Sequence, residues 1–182
     1  MFSKKILYFI GAAMAGLVSC SPKGGRQPEA VVVYDTLFTL ALQEQHGAYY
    51  ADGGLENNVV SLDLYSENLS LNKQGRIEGT GTNLYFSDIF LPPTDSTLLV
   101  GTYLSDTTGS AFTFLPGTSF RGNFTGAYLL SITDGTLVSY RLLPAGSLEV
   151  VQAEDEEHVV IRFSEPADSR TKYHAVFKGR VN

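Results

Sequence analysis

The sequence predicts an all-β fold, and three observations carry that prediction. Apolar and polar residues alternate with a period of two in one segment after another, the signature of strands with one buried face. Turn residues recur about every ten positions from residue 98 onward, the spacing of short strands joined by tight connections. No window after residue 45 carries the spacing of an amphipathic helix. The expectation is one antiparallel β-sandwich or β-barrel of about nine to eleven strands over residues 31–182.

The elements follow in order. Phe38, Leu40 and Leu42 belong to a first long strand. Residues 37–45 also have helical propensity, but their alternation and the lack of a cap favour strand. Val60, Leu62 and Leu64 alternate with Ser61, Asp63 and Tyr65. Gly75, Gly79 and Gly81 mark a loop or bulged strand. Leu98, Val100, Thr102 and Leu104 form one side of a middle strand. Phe124, Gly126, Tyr128, Leu130 and Ile132 line one side of another. Thr133-Asp134-Gly135 follows as a hairpin turn, because Asp-Gly supplies the positive φ such turns need. Residues 148–151 are apolar on both faces. Val159, Ile161 and Phe163, then Tyr173, Ala175 and Phe177, define the last two strands, expected to pair as a hairpin. Residues 105–109, 144–146 and 154–157 supply further turns.

The N-terminal segment has a different character. Lys4 and Lys5 precede an apolar run over residues 6–18, too short to span a bilayer at about 20 residues but right for the core of a secretory signal. It ends in Leu17-Val18-Ser19-Cys20, which resembles the bacterial lipobox at every position. That resemblance implies cleavage before Cys20, a diacylglyceryl group on its thiol and attachment to a membrane through lipid. Residues 1–19 are then a signal peptide and residues 20–30, with Pro22, Gly24, Gly25 and Pro28, a flexible tether. Ser21 in place of Asp resembles outer-membrane sorting, and the basic tether resembles that of lipoproteins facing the periplasm. In the second half Gly101-Thr102-Tyr103, Phe114-Leu115-Pro116-Gly117, Thr133-Asp134-Gly135-Thr136 and Phe177-Lys178-Gly179 are similar to the strand-turn texture of small uncharacterised Bacteroidetes lipoproteins with a β-barrel or β-sandwich domain. That likeness implies no activity and assigns no site.

Charge and cysteine narrow the chemistry. The formal net charge is −6, and loss of Lys4 and Lys5 takes it to −8. Such a domain repels nucleic acid and anionic lipid surfaces. Cys20 is the single cysteine; once lipidated it leaves no disulfide, thiolate metal site or cysteine nucleophile. There is no Gly-x-Ser-x-Gly elbow, no phosphate-binding loop and no calcium loop. His158 and His174 fall on outward faces of neighbouring strands, but two imidazoles fall short of the three or four ligands zinc takes. The acidic run 154–157 reads as a solvated hairpin loop. Asp63, Glu78 and Asp88 are conceivable paired carboxylates for glycoside hydrolysis, with nothing in the sequence to select them. Trp is absent, and among ten Tyr the candidate binding platforms are Tyr65, Tyr85 and Tyr140, with Tyr49 and Tyr50 beside them. No cofactor or metal is implied.

The expectation is a membrane-anchored envelope module that binds a protein, a glycan or a small apolar ligand without catalysis. A glycan- or peptidoglycan-acting hydrolase is the alternative. An assembly subunit that pairs a terminal strand, residues 173–181, with another chain is the third reading.

Overall fold

The computed structural model describes residues 32–50, 56–154, 157–166 and 171–182; Cys20, the segment 1–19, the tether 20–30 and the side chains of Tyr49 and Tyr50 lie outside what is described. Fourteen strands follow in order: β1 (Val32–Tyr50), β2 (Glu56–Ser66), β3 (Leu69–Leu71), β4 (Ile77–Gly79), β5 (Gly81–Leu91), β6 (Gly101–Ser105), β7 (Thr113–Phe114), β8 (Thr118–Phe120), β9 (Asn123–Thr125), β10 (Ala127–Thr133), β11 (Thr136–Leu142), β12 (Ser147–Gln152), β13 (Val159–Ser164) and β14 (Thr171–Gly179). Ten of them join one sheet, and the pairing of β7 with β5 closes eight into a barrel in the order β5-β2-β1-β14-β13-β12-β6-β7. The β10–β11 hairpin branches from β5, and β3–β4 and β8–β9 are separate small hairpins. No described helix is long and apolar enough to cross a membrane.

Closure fixes the width of the barrel. Starting at Asp35 and following Cα partners through His174, Ser164, Ser147, Leu104, Thr113, Phe90 and Val59, the path returns to β1 at Gly47, twelve residues further on. With a rise of about 3.3 Å per residue and a strand spacing of about 4.8 Å, that stagger gives a strand tilt of about 45°. A steeply tilted barrel is wide, so its interior needs bulky side chains. Phe38, Phe86, Phe114, Phe163, Phe177, Tyr103 and Tyr173 supply them, all at 2% exposure or less. Phe86, Phe114 and Phe163 meet edge to face with centroids 5.2–6.3 Å apart, the geometry the ring quadrupole favours. The interior is thus a packed core.

Several local expectations are corrected. The sheet is not wholly antiparallel: β1–β14 and β6–β7 are parallel. Phe38, Leu40 and Leu42 do not share a face. A bulge between Phe38 and Leu40 shifts the register, so Phe38 and Ala41 enter the barrel while Leu40 and Leu42 join a smaller cluster outside it. In the middle strand the phase is opposite: Tyr103 points in, and Val100 and Leu104 are exposed. The Tyr103 hydroxyl bonds the N–H and C=O of Leu99, each at 3.0 Å, which satisfies it inside; burial pushes its pKa up to about 12. Residues 124–132 are not one strand. Gly126, at φ +77°, breaks them into β9 and β10, and Tyr128, Leu130 and Ile132 keep a common outer face after the break.

Other expectations hold. Residues 37–45 are strand. Val60, Leu62 and Leu64, then Ile161 and Phe163, then Tyr173, Ala175 and Phe177 are all buried in the main core. Asp134 and Gly135 connect β10 to β11 with both φ positive.

Candidate functional site

The outer face of β1, β2, β5, β10 and β11 carries two cross-strand rows. One runs Leu42, Asp63, Tyr85, Tyr128, Leu142; the next runs Leu40, Tyr65, Asn83, Leu130, Tyr140. Side chains in such rows lie within contact distance, so register alone assembles tyrosines and a carboxylate on one surface. The β3–β4 hairpin folds over part of it. Leu69, Leu71 and Ile77 pack there against Leu40, Leu42, Tyr65, Leu130 and Ile132.

A cleft of about 470 Å³ opens beside this cluster, lined by Leu42, Glu44, Ser61, Asp63, Tyr65, Leu71 and Tyr85, among others. Asp63 is its best-held group. The Asn83 amide donates to Asp63 Oδ1 at 2.7 Å and to the Leu64 carbonyl at 3.1 Å, and the Tyr65 hydroxyl bonds the same carboxylate. Burial raises the Asp63 pKa above the usual 3.8, against the lowering effect of these two donors. Burial also raises the Tyr65 hydroxyl pKa, with the Asp63 charge adding to it. Tyr85 is raised for the same first reason and is bonded by Ser61; Tyr128 is pushed up to about 12 by burial.

The three tyrosines named from sequence fall on this face but do not act alike. Tyr65 is 4% exposed and belongs to the small cluster, so it offers the cleft its hydroxyl edge rather than a ring face. Tyr85 lines the cleft. Tyr140 lies away from it on β11, half exposed, and meets the Phe124 ring at a tilt with centroids 4.4 Å apart. An aromatic series links Tyr85 to Tyr140: Tyr85 to Tyr128 at 5.1 Å, Tyr128 to Phe124 at 5.6 Å, and Phe124 to Tyr140. Glu44, Asn83 and Tyr128 had no signal in the sequence, since only the register places them beside Asp63.

The remaining candidates disperse. Glu78 accepts from the Asn72 amide at 2.9 Å on the β3–β4 hairpin, and Asp88 accepts from Ser87; neither lines the cleft. His174 sits opposite Ser164, whereas His158 precedes Val159, which pairs with Gly179. The two imidazoles are therefore about 20 Å apart along the strands and do not form a pair. No metal-holding group of three or more His, Cys, Asp or Glu occurs among the described residues. In the acidic run, Glu157 pairs with Arg180. Compared with known proteins, the chain matches no family model, no curated protein and no solved structure.

Proposed function

We propose that this chain is a lipid-anchored binding module of the cell envelope that takes its ligand on the outer tyrosine face of the barrel and performs no catalysis. The observation that carries this reading is the contrast between the two faces: the barrel interior is filled by aromatic side chains, while the Tyr85–Asp63 cleft opens to solvent. The aromatic packing of the interior favours a protein or glycan bound outside over a small apolar ligand held within. The lipobox ending in Cys20 supplies the anchor, and the tether chemistry favours the outer membrane with the domain facing the periplasm. The test is site-specific photo-crosslinking in intact cells. A crosslinker at Leu71 on the cleft rim should trap a partner, and one at Val151 on β12 should not. Equal trapping at both positions refutes the cleft as the binding face. A Cys20→Ala chain that still carries lipid refutes the anchor.

One observation keeps the hydrolase reading in play. Glu44 and Asp63 line the same cleft, and burial raises the Asp63 pKa, the direction a general acid of a carboxyl pair needs. Turnover of a cell-wall glycan that is lost in Glu44→Gln and in Asp63→Asn would establish it. The assembly reading moves to a different strand. β14 is paired on both sides, by β1 and β13, whereas β11 bonds only β10 among the described residues.

A further inference from the structure

We propose that the ligand group seated in the cleft is a lysine or arginine side chain presented by another protein. The inference rests on the reading of the outer face as the binding face and names what that face selects. Asp63 is the starting point. Its carboxylate is half-buried, and its hydrogen-bond partners, the Asn83 amide and the Tyr65 hydroxyl, are both neutral. A carboxylate withdrawn from water normally has a cation beside it. Among the described residues that line the cleft there is no Lys, Arg or His, and the second charged side chain is another carboxylate, Glu44. The charge that would balance Asp63 has to come from outside the cleft.

The shape of the cleft agrees with the source. Leu42 and Leu71 form apolar walls beside the two acids, a surface for the methylene stem of a long cationic side chain whose head reaches water or a carboxylate. The Tyr85 ring on the same wall, backed by Tyr128 at 5.1 Å, offers the aromatic face that attracts such a head group. Asn83 holds one Asp63 oxygen at 2.7 Å, so the acceptor is fixed in place before the ligand arrives, which lowers the ordering cost of binding.

The experiment uses the chain from residue 20 with Cys20→Ser, which contains every described strand. The probe is an acetylated, amidated Ala-Ala-Lys-Ala-Ala peptide, titrated by NMR beside the same peptide with norleucine at the centre. The lysine peptide should shift resonances of Leu71 and Tyr85, and the norleucine peptide should not. Asp63→Asn should weaken the lysine peptide about tenfold, the loss expected when a hydrogen bond to a charged group is removed. Glu44→Gln, on an exposed residue that leaves the fold alone, should weaken it in the same direction, and Glu149→Gln on the opposite side of the barrel should change nothing. Equal binding of the two peptides overturns the proposal, as does unchanged affinity in both cleft variants. Preferential binding of a glucosamine oligomer at the same residues also overturns it, in favour of an amino sugar. If a crosslinker at Leu71 traps a partner while the lysine peptide fails, the binding face stands and the ligand assignment falls. If Leu71 traps nothing, the face itself is refuted.

Discussion

Arg141→Met should destabilise the barrel by about 3 kcal/mol. Arg141 projects from β11 to Glu165, which follows β13, and its Nη2 lies 2.7 Å from both carboxylate oxygens. The Glu165 side chain is 5% exposed and the Arg141 side chain 34%. Glu165 Oε2 also accepts the Tyr173 N–H at 2.8 Å, so the carboxylate joins the branched hairpin to β14 of the barrel. Removing the arginine leaves a buried carboxylate with a single backbone donor. Breaking a buried pair costs about 3–5 kcal/mol; the partial exposure of Arg141 lets water take some of its place and puts the loss at the lower end. For a domain of this size that is a fall of about 6–12 °C in Tm. Urea unfolding followed by circular dichroism measures it. Arg141→Met/Glu165→Gln should recover most of the loss, because the double variant leaves no orphaned charge and the amide oxygen still accepts the Tyr173 N–H. A loss under about 1 kcal/mol in the single variant, or a double variant as unstable as the sum of the two singles, refutes the assignment of this pair as a buried, coupled one.

Other outcomes follow from the same structure. Burial raises the folded-state pKa of Asp63 above its ordinary value, so folding favours its protonated form; that contribution is present at low pH and is lost as pH rises through the raised pKa. Asp63→Asn, which mimics the protonated acid, should match the parent at low pH and be the more stable of the two at neutral pH. A melt showing the variant less stable at pH 7 contradicts this. Gly126→Ala should cost at least about 2 kcal/mol, since its φ is +77° and an added Cβ would lie 2.1 Å from the Pro116 carbonyl oxygen; denaturant titration decides it. Phe163→Ala, which removes a ring that contacts Phe86, Phe114 and Tyr173, should cost about 3–5 kcal/mol, and calorimetry of the variant checks it.

The strands legible in the sequence are those with one dry face. Val159 to Phe163 and Tyr173 to Phe177 alternate cleanly because their other face meets solvent, and Ile161, Phe163, Tyr173, Ala175 and Phe177 are buried as that alternation implies. Alternation fails where both faces are covered. β1 packs Phe38 and Ala41 inside and Leu40 and Leu42 under the β3–β4 hairpin, and the one-residue bulge between them leaves no mark in composition. Leu104 is more hydrophobic than Tyr103, yet Tyr103 points in because the wide barrel needs its volume and Leu99 bonds its hydroxyl. The cleft was half visible. Tyrosine and acid content suggested a polar aromatic surface, but selecting Asp63 and Glu44 over Glu78 and Asp88 required the pairing of β1 with β2, which lies in long-range register rather than in any local motif.

The parallel pairing of β1 with β14 orders events in time as well as space. Val32 bonds alongside Thr171, and Phe38 alongside Phe177, so the first described strand waits for the last before the ring can close. A chain made from its N-terminus keeps that edge open until nearly all of it is available, and contacts of such sequence separation form slowly. During that interval Phe38, the interior aliphatic side chains of β2 and Phe86 of β5 lack their cover. An open edge of that kind invites pairing with other chains, which makes the interval before closure the point at which this protein most needs protection from aggregation.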